Sequence, residues 1–204
     1  MNLRRLFFAI KLPQELLTQL YRYQEQLNPE IFRIVGKDRL HLTLIFLGYV
    51  EEEKIKTIQD ITLEITKNFQ PQAIQFLDTA YGPTYAEASA GRPNPKFPRL
   101  IWLRGSSNQS LEQLKRVLEK ELRDKAKISL KEESRPFLPH ITLARIKTSL
   151  PSNLPLETKI NAKMNFSFSP SSLWLMESHL LREGAQYIDL AEFSFKGLCL
   201  RKQA

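Results

Sequence analysis

Apolar residues along the chain fall into short runs and helically spaced sets, which predict alternating stretches of strand and helix. Aliphatic and aromatic runs predict strands over Arg5–Leu12, Phe32–Val35, His41–Gly48, Ala73–Ala80, Leu100–Leu103, Pro139–Ile146, Phe166–Phe168, Leu173–Leu180 and Tyr187–Phe195. Apolar residues at helical spacing predict helices over Pro13–Leu27, over Glu51–Asn68 and from Ser110, where a Ser-x-x-Gln capping box begins. The order lacks the regular alternation of a doubly wound sheet, so we expect an α+β fold.

Two irregular stretches interrupt this pattern. The segment Gly82–Pro98 is rich in glycine and proline and predicts a long loop, either a basic flap over a binding site or a surface insertion. Near the C-terminus, residues 182–185 separate two predicted strands and form a plausible hairpin turn around Gly184.

Charge is the first feature that bears on function. The 204 residues carry 30 Lys and Arg against 22 Asp and Glu, a formal net charge of +8. This surplus favours polyanionic partners such as nucleic acid, although a well-solvated basic surface would give the same balance. The single cysteine excludes an internal disulfide and a cysteine-rich zinc site.

Hydropathy bears on location and assembly. The longest apolar run, Leu44–Val50, is far shorter than the ~18 residues of a membrane-spanning helix. The apolar stretch after the basic N-terminus, Leu6–Ile10, is too short for the core of a signal peptide. We therefore expect a cytoplasmic protein that makes no membrane contact. No heptad pattern points to assembly, which favours a monomer.

Two nearly identical four-residue motifs, the histidine words, contain two of the three histidines of the chain. They read His-Leu-Thr-Leu from His41 and His-Ile-Thr-Leu from His140, each on a predicted strand. Because side chains alternate along a strand, His41 and Thr43 share one face, as do His140 and Thr142, while the aliphatic residues occupy the other face. The repetition favours a functional pair and suggests two similar lobes.

Paired imidazoles and hydroxyls suit acid–base chemistry at a phosphate. Histidine titrates near 6.5, so one ring can hold a proton while the other accepts one. Threonine hydroxyls donate hydrogen bonds to anionic oxygens, and the guanidinium of Arg145 suits bidentate phosphate contact. Two histidines without a carboxylate or cysteine at ligand spacing make a poor metal site, so no metal and no cofactor are expected.

The chain resembles the 2H phosphoesterase superfamily, and most closely the RNA 2′,3′-cyclic phosphodiesterases, also called 2′-5′ RNA ligase-like proteins. The resemblance covers nearly the whole chain. It rests on the opening segment Arg5–Pro13, on the two histidine words within Leu40–Gly48 and Pro136–Arg145, and on Ser178, Gly184 and Tyr187 in the closing hairpin. The long Gly82–Pro98 segment departs from the family pattern.

The resemblance implies one bilobal domain over residues 1–204, with two pseudo-symmetric lobes, each a β-sheet backed by helices, and an active-site cleft between them. It implies metal-independent hydrolysis of an RNA 2′,3′-cyclic phosphate to a 2′-phosphate. His41 would act as general acid and His140 as general base, and Thr43, Thr142 and Arg145 would bind the phosphate. RNA ends or cyclic nucleotides would be the substrates, and 2′-5′ ligation would be a weak reverse activity.

Two further matters stay open at the level of sequence. A module on the same fold could bind RNA ends or nucleotides without turnover, although binding alone does not require a paired acid and base. Among aromatic residues, Phe137 is a candidate for stacking on a terminal base, whereas strand alternation assigns Phe46 to the core.

Overall fold

The computed structural model describes residues 2–82, 100–130, 136–147, 160–181 and 184–195. Most of the predicted Gly82–Pro98 loop lies outside these residues, as do Cys199 and the first two positions of the predicted hairpin turn. The helices and strands are β1 (Leu3–Lys11), α1 (Gln14–Gln24), β2 (Phe32–Ile34), β3 (His41–Glu51), α2 (Ile55–Thr66), β4 (Ile74–Tyr81), β5 (Leu100–Gly105), α3 (Gln109–Ala126), β6 (His140–Ile146), β7 (Lys163–Phe168), β8 (Ser172–Leu181) and β9 (Gly184–Ser194). The predicted α+β class and the predicted order of elements are confirmed.

All strand pairs are antiparallel and belong to one sheet, in which the order is β7-β4-β5-β6-β3-β1-β8-β9 and β2 pairs with β6. The two strands that carry the histidine words, β3 and β6, are neighbours at its centre. They meet through the pair Leu42 and Ile141, each with no exposed surface. The sheet therefore consists of two halves joined where the histidine words meet.

Helices α1 and α3 connect the two halves. Helix α1 follows β1 but contacts β6 in the other half, whereas α3 contacts β3 and α2 contacts β9. A single cluster of buried side chains includes Leu16 and Leu20 of α1 together with Leu111 and Leu118 of α3. The motif strands are thus fixed from the core side by one shared hydrophobic core.

The start of α3 differs from the prediction. Asn108, not Ser110, caps the helix: its side-chain oxygen accepts a hydrogen bond from the backbone N–H of Leu111 at 2.9 Å. The hydroxyl of Ser110 instead accepts a bond from the N–H of Gln72 at 3.2 Å. Asparagine and serine are about equally good N-cap residues, and the helix begins two residues earlier than predicted because the Ser110 hydroxyl is engaged with Gln72.

A bulge in β3 overturns the prediction for Phe46. The register shifts between the pairs Ala9–Thr43 and Phe8–Ile45, so one residue of β3 has no partner there and the alternation changes phase. Phe46 is consequently 67% exposed, and its ring lies 6.2 Å from that of Phe7, centroid to centroid. It lies on the same face as the motif histidines, not in the core.

Candidate active site

The bridge between β3 and β6 places both histidine words on one face of the sheet. Leu42 and Ile141 are directly opposite each other and are buried on the core side. Since side chains alternate, the flanking residues of both strands point to the other face. His41, Thr43, His140 and Thr142 therefore surround one bridge, and all four are partly exposed.

The imidazole of His41 is held at both nitrogens. Its Nδ1 lies 2.8 Å from the carbonyl oxygen of Arg39, and its Nε2 lies 3.0 Å from Oγ1 of Thr43. A carbonyl oxygen only accepts hydrogen bonds, so Nδ1 carries the proton of the neutral ring. Nε2 is then the atom that gains or loses a proton at the open face, next to a hydroxyl.

His140 repeats the Nδ1 contact of His41. Its Nδ1 lies 2.9 Å from the carbonyl oxygen of Leu138, again two residues before the histidine, so Nδ1 donates and Nε2 is the titrating atom. The same word in two strands thus produces the same tautomer twice. Neither backbone bond is visible in the sequence pattern, because it depends on how the chain enters each strand.

Trp102 stacks on His140, an interaction that the sequence did not predict. The ring centroids are 3.8 Å apart and the planes are inclined by 23°. Trp102 pairs with Thr142 across β5 and β6, which turns its side chain to the site face. A Cβ on Gly82 would lie 2.9 Å from the indole, so a side chain there would displace it. Gly82 and the Trp102 indole thus form a closely packed support for His140.

Two other aromatic rings contact His41. Tyr187 meets it edge-on at 5.0 Å between centroids, and Phe7 lies 5.1 Å away. Phe7 belongs to a small cluster on the site face, with Ala9 and Met176, that is separate from the main core. The sequence singled out Tyr187 only as part of the hairpin that carries the family resemblance, and it gave no sign that either ring contacts His41.

Burial and charge act on the titration of His41. Burial disfavours the charged imidazolium and is the main reason why the pKa of His41 lies below its usual 6.5. The hydrogen bond to the Arg39 carbonyl opposes this shift, and the charge of His140 adds to it. The two histidines are therefore electrostatically coupled, as expected of groups that share one site.

Arg145 shares the face of Thr142. In a regular strand the two side chains would point to opposite faces of the sheet, because the residues are an odd number of positions apart. The register of β6 against β5 shifts after the pair Thr142–Trp102, and Arg145 pairs with Leu100. Since Leu100 and Trp102 alternate regularly on β5, the bulge turns the exposed Arg145 to the site face.

The remaining candidates lie elsewhere. Phe137 is half-buried and packs against the main core, so Trp102 is the better-placed aromatic residue beside His140. The third histidine, His179, is on the surface, with Nε2 3.3 Å from a carboxylate oxygen of Glu177.

Within the described residues, there is neither a candidate metal site nor a membrane-spanning helix. In the ranges 2–82, 100–130, 136–147, 160–181 and 184–195, no three His, Cys, Asp or Glu side chains are grouped so that they could hold a metal ion. No helix in this part of the chain is both long and apolar enough to cross a membrane.

Comparison with known proteins identifies the family. Residues 10–181 match the model of the 2′-5′ RNA ligase superfamily, and this range includes both histidine words. The chain belongs to this superfamily. An RNA 2′,3′-cyclic phosphodiesterase of Methanocaldococcus jannaschii is 34% identical over 143 residues, which are 70% of this chain and 72% of that protein.

Solved structures of the superfamily have the same fold. A protein of Thermus thermophilus superposes with a TM-score of 0.75 at 27% identity and covers 95% of this chain and 99% of its own. E. coli LigT in complex with 3′-AMP gives a TM-score of 0.72 at 27% identity, over 96% of this chain and 100% of that one. The expected phosphoesterase fold is thereby confirmed.

Proposed function

We propose that the protein hydrolyses RNA 2′,3′-cyclic phosphate ends to 2′-phosphates through acid–base catalysis by its two motif histidines. The observation that carries the proposal is the β3–β6 bridge, which brings two imidazoles, each with its Nδ1 on a backbone carbonyl, and two threonines to one face. Relatives named RNA 2′,3′-cyclic phosphodiesterase, at 34% and 31% identity, support the same reaction.

The chemistry requires two proton transfers. A water molecule attacks phosphorus opposite the ribose 3′-oxygen, and the bond between phosphorus and that oxygen breaks. His140 takes a proton from the water through Nε2, and His41 gives its Nε2 proton to the departing 3′-oxygen. The products are a 3′-hydroxyl and a 2′-phosphate. If the 5′-hydroxyl of a second RNA attacks phosphorus in place of water, the same bond to the 3′-oxygen breaks and a 2′-5′ linkage forms, as a weak side activity.

The threonines and Arg145 act on the phosphate itself. The hydroxyl of Thr43 is 3.0 Å from Nε2 of His41, so it is close to the transferred proton and to a phosphate oxygen bound there. Thr142 occupies the equivalent place beside His140. Arg145, on the same face, balances the negative charge that grows on the non-bridging oxygens.

No metal is needed for this reaction, because the two histidines supply both proton transfers. We propose that the protein works as a monomer on RNA ends or cyclic nucleotides in the cytoplasm. The rate should be the same in EDTA as in buffer that contains magnesium. A rate that falls in EDTA and returns with added metal would contradict this part of the proposal.

The pH dependence of the reaction tests the histidine pair. We expect a bell-shaped profile of kcat/KM, since one imidazole must hold a proton and the other must not. The acidic limb of this profile reflects the lower of the two histidine pKa values. Because the pKa of His41 is below 6.5, the acidic limb lies below pH 6.5 as well. In the kcat profile it moves to higher pH, because the bound anionic phosphate favours imidazolium.

A flat profile between about pH 5 and 9 would rule out catalysis by two histidines. The profiles should be measured at constant ionic strength, since screening by salt also changes the pKa values of neighbouring charges.

Removing the Trp102 indole should impair the orientation of His140. We expect Trp102→Leu to lower kcat by about 2- to 10-fold, in line with the ~0.5–1.5 kcal/mol of an aromatic contact. Trp102→Phe should keep most of the rate. In the NMR spectrum, the carbon-bound ring protons of His140 should lose their upfield ring-current shift in the leucine variant. Unchanged His140 resonances would show that Trp102 does not position this ring.

A further inference from the structure

The two halves of the site resemble each other closely. Each motif histidine rests its Nδ1 on the carbonyl oxygen two residues earlier, and each histidine word has a threonine on the same face. Each histidine also has a cation directly opposite it on the next strand, Lys11 on β1 and Arg104 on β5. Both cations form an ion pair with a carboxylate, Lys11 with Asp189 at 2.5 Å and Arg104 with Asp78 at 2.9 Å. The backbone and the charges of the site therefore surround a bound phosphate nearly symmetrically.

A 2′,3′-cyclic phosphate is itself nearly symmetric. Its phosphorus is bonded to two ring oxygens, one on C2′ and one on C3′ of the ribose, and either oxygen fits beside Nε2 of His41. The proposed reaction requires the 3′-oxygen there, since His41 protonates the oxygen that departs. A substrate bound the other way round would lose its 2′-oxygen and give a 3′-phosphate. Contacts to the phosphate exist in both orientations, so a contact elsewhere on the nucleotide must select one.

The aromatic side chains that contact the two histidine rings break this symmetry. Trp102 stacks on the face of His140, with 3.8 Å between the ring centroids. Tyr187 instead meets His41 edge-on, with 5.0 Å between the centroids and 88° between the planes, and it packs against Phe7. The indole N–H of Trp102 is buried, so it offers no hydrogen bond to a ligand in the cleft. Tyr187 thus adds a polar group, its hydroxyl, to the His41 half of the site.

The hydroxyl of Tyr187 is directed towards the site and is open to a substrate. Tyr187 is on β9, which is the third strand from β3, after β1 and β8. Its ring reaches His41 across these strands, so the hydroxyl, at the far end of the side chain, extends towards the cleft. Among the described residues this hydroxyl has no hydrogen-bond partner, and Tyr187 is partly exposed. A tyrosine packed on apolar rings usually gives its hydroxyl a partner, which a bound nucleotide would supply here.

We propose that the Tyr187 hydroxyl donates a hydrogen bond to the 5′-oxygen of the ribose and so selects which ester bond of the cyclic phosphate breaks. The inference rests on the function proposed above and adds a residue that controls its regioselectivity. When the 3′-oxygen lies beside His41, the adjoining part of the ribose is C4′ with its 5′-oxygen, on the Tyr187 side. In the opposite orientation C1′ and the base take this place, and the hydrogen bond is lost. Tyr187 transfers no proton; it orients the substrate.

The experiment compares adenosine 2′,3′-cyclic phosphate with its 5′-deoxy analogue, which lacks the 5′-oxygen. We expect wild-type protein to cleave the parent compound with a kcat/KM about 3- to 10-fold higher, the effect of one neutral hydrogen bond. Tyr187→Phe keeps the ring that contacts His41 and should cleave both compounds at the lower value. The 3′-phosphate, at most a trace with wild-type protein and the parent compound, should become a measurable share of the product when either hydrogen-bonding group is missing.

Tyr21→Phe is the matched control. It removes the hydroxyl of an exposed tyrosine on α1, a helix that packs into the core on the other side of the sheet. This variant should leave the preference for the 5′-oxygen and the composition of the product unchanged. The comparison of the two nucleotides with wild-type protein requires no variant, so it remains decisive if Tyr187→Phe folds poorly.

The possible failures are distinguishable. If wild-type protein cleaves both nucleotides equally, or if Tyr187→Phe keeps the wild-type preference, Tyr187 only packs against His41 and the proposed function stands. If Tyr187→Phe loses the preference but still gives the 2′-phosphate alone, the hydrogen bond does not select the bond that breaks, which also contradicts the inference. If wild-type protein cleaves neither nucleotide nor an RNA that ends in a 2′,3′-cyclic phosphate, the proposed function is wrong, and the role of Tyr187 falls with it.

Discussion

His41→Ala and His140→Ala should each lower kcat for a 2′,3′-cyclic phosphate substrate by about 10²- to 10⁴-fold, the usual contribution of one acid or base group. Each variant removes the Nε2 that carries a proton to or from the reacting atoms. The Nδ1 bonds to the carbonyls of Arg39 and Leu138 are lost as well, but they orient the rings and are not part of the proton transfer.

The third histidine provides the control. His179 is on the surface beside Glu177, so His179→Ala should keep at least about half of the wild-type kcat. The double variant without His41 and His140 should be little worse than the slower single variant, since the two groups act in one concerted step. A loss below about threefold in either single variant would show that the histidines are not the acid and base.

Leu42→Ala should cause a large loss of stability, about 2–5 kcal/mol in the free energy of unfolding. Leu42 has no exposed surface and is directly opposite Ile141 at the bridge that joins the two halves of the sheet. Its truncation leaves a cavity beneath both histidine words. At ~2–4 °C per kcal/mol for a chain of this size, the melting temperature should fall by about 4–20 °C.

Urea unfolding measures this loss, and Leu63→Ala is the control, since Leu63 is 43% exposed on α2 and should cost little. Because Leu42 and Ile141 are in contact, the double alanine variant should deviate from additivity by ~0.5 kcal/mol or more. A loss below about 1 kcal/mol for Leu42→Ala would mean that the bridge is not a rigid joint of the sheet.

Much of the fold could be predicted because the strands have strong patterns. Runs such as Leu6–Ile10 and Leu42–Leu47 are long enough, and clearly enough bounded, to identify β1 and β3 from sequence alone. The helices follow equally from the spacing of their leucines and isoleucines. Their exact starts do not, as Asn108 shows, because adjacent capping residues compete and tertiary packing selects one of them.

The site could be predicted from the sequence wherever side chains alternate regularly along a strand. This alternation placed His41 with Thr43 and His140 with Thr142, and the structure brings both pairs to one face. Alternation failed for Phe46, because a bulge in β3 changes the phase after Thr43. Bulges depend on the pairing of neighbouring strands, which a single sequence does not specify.

The contacts to the histidine rings required the three-dimensional register. Trp102 reaches His140 because β5 lies beside β6 with Trp102 opposite Thr142, and the two strands are distant in sequence. Phe7 reaches His41 in the same way, through the pairing of β1 with β3. Such contacts are decided by strand order, which local patterns leave open.

The most direct test of the central claim uses a short RNA that ends in a 2′,3′-cyclic phosphate, incubated with the protein in EDTA. The phosphate of the product is then located by comparison with authentic 2′- and 3′-phosphate standards. Our account predicts conversion to the 2′-phosphate alone, at a rate about 10²-fold or more lower with His41→Ala or His140→Ala. A 3′-phosphate product, or RNA that is bound but not converted, would contradict it.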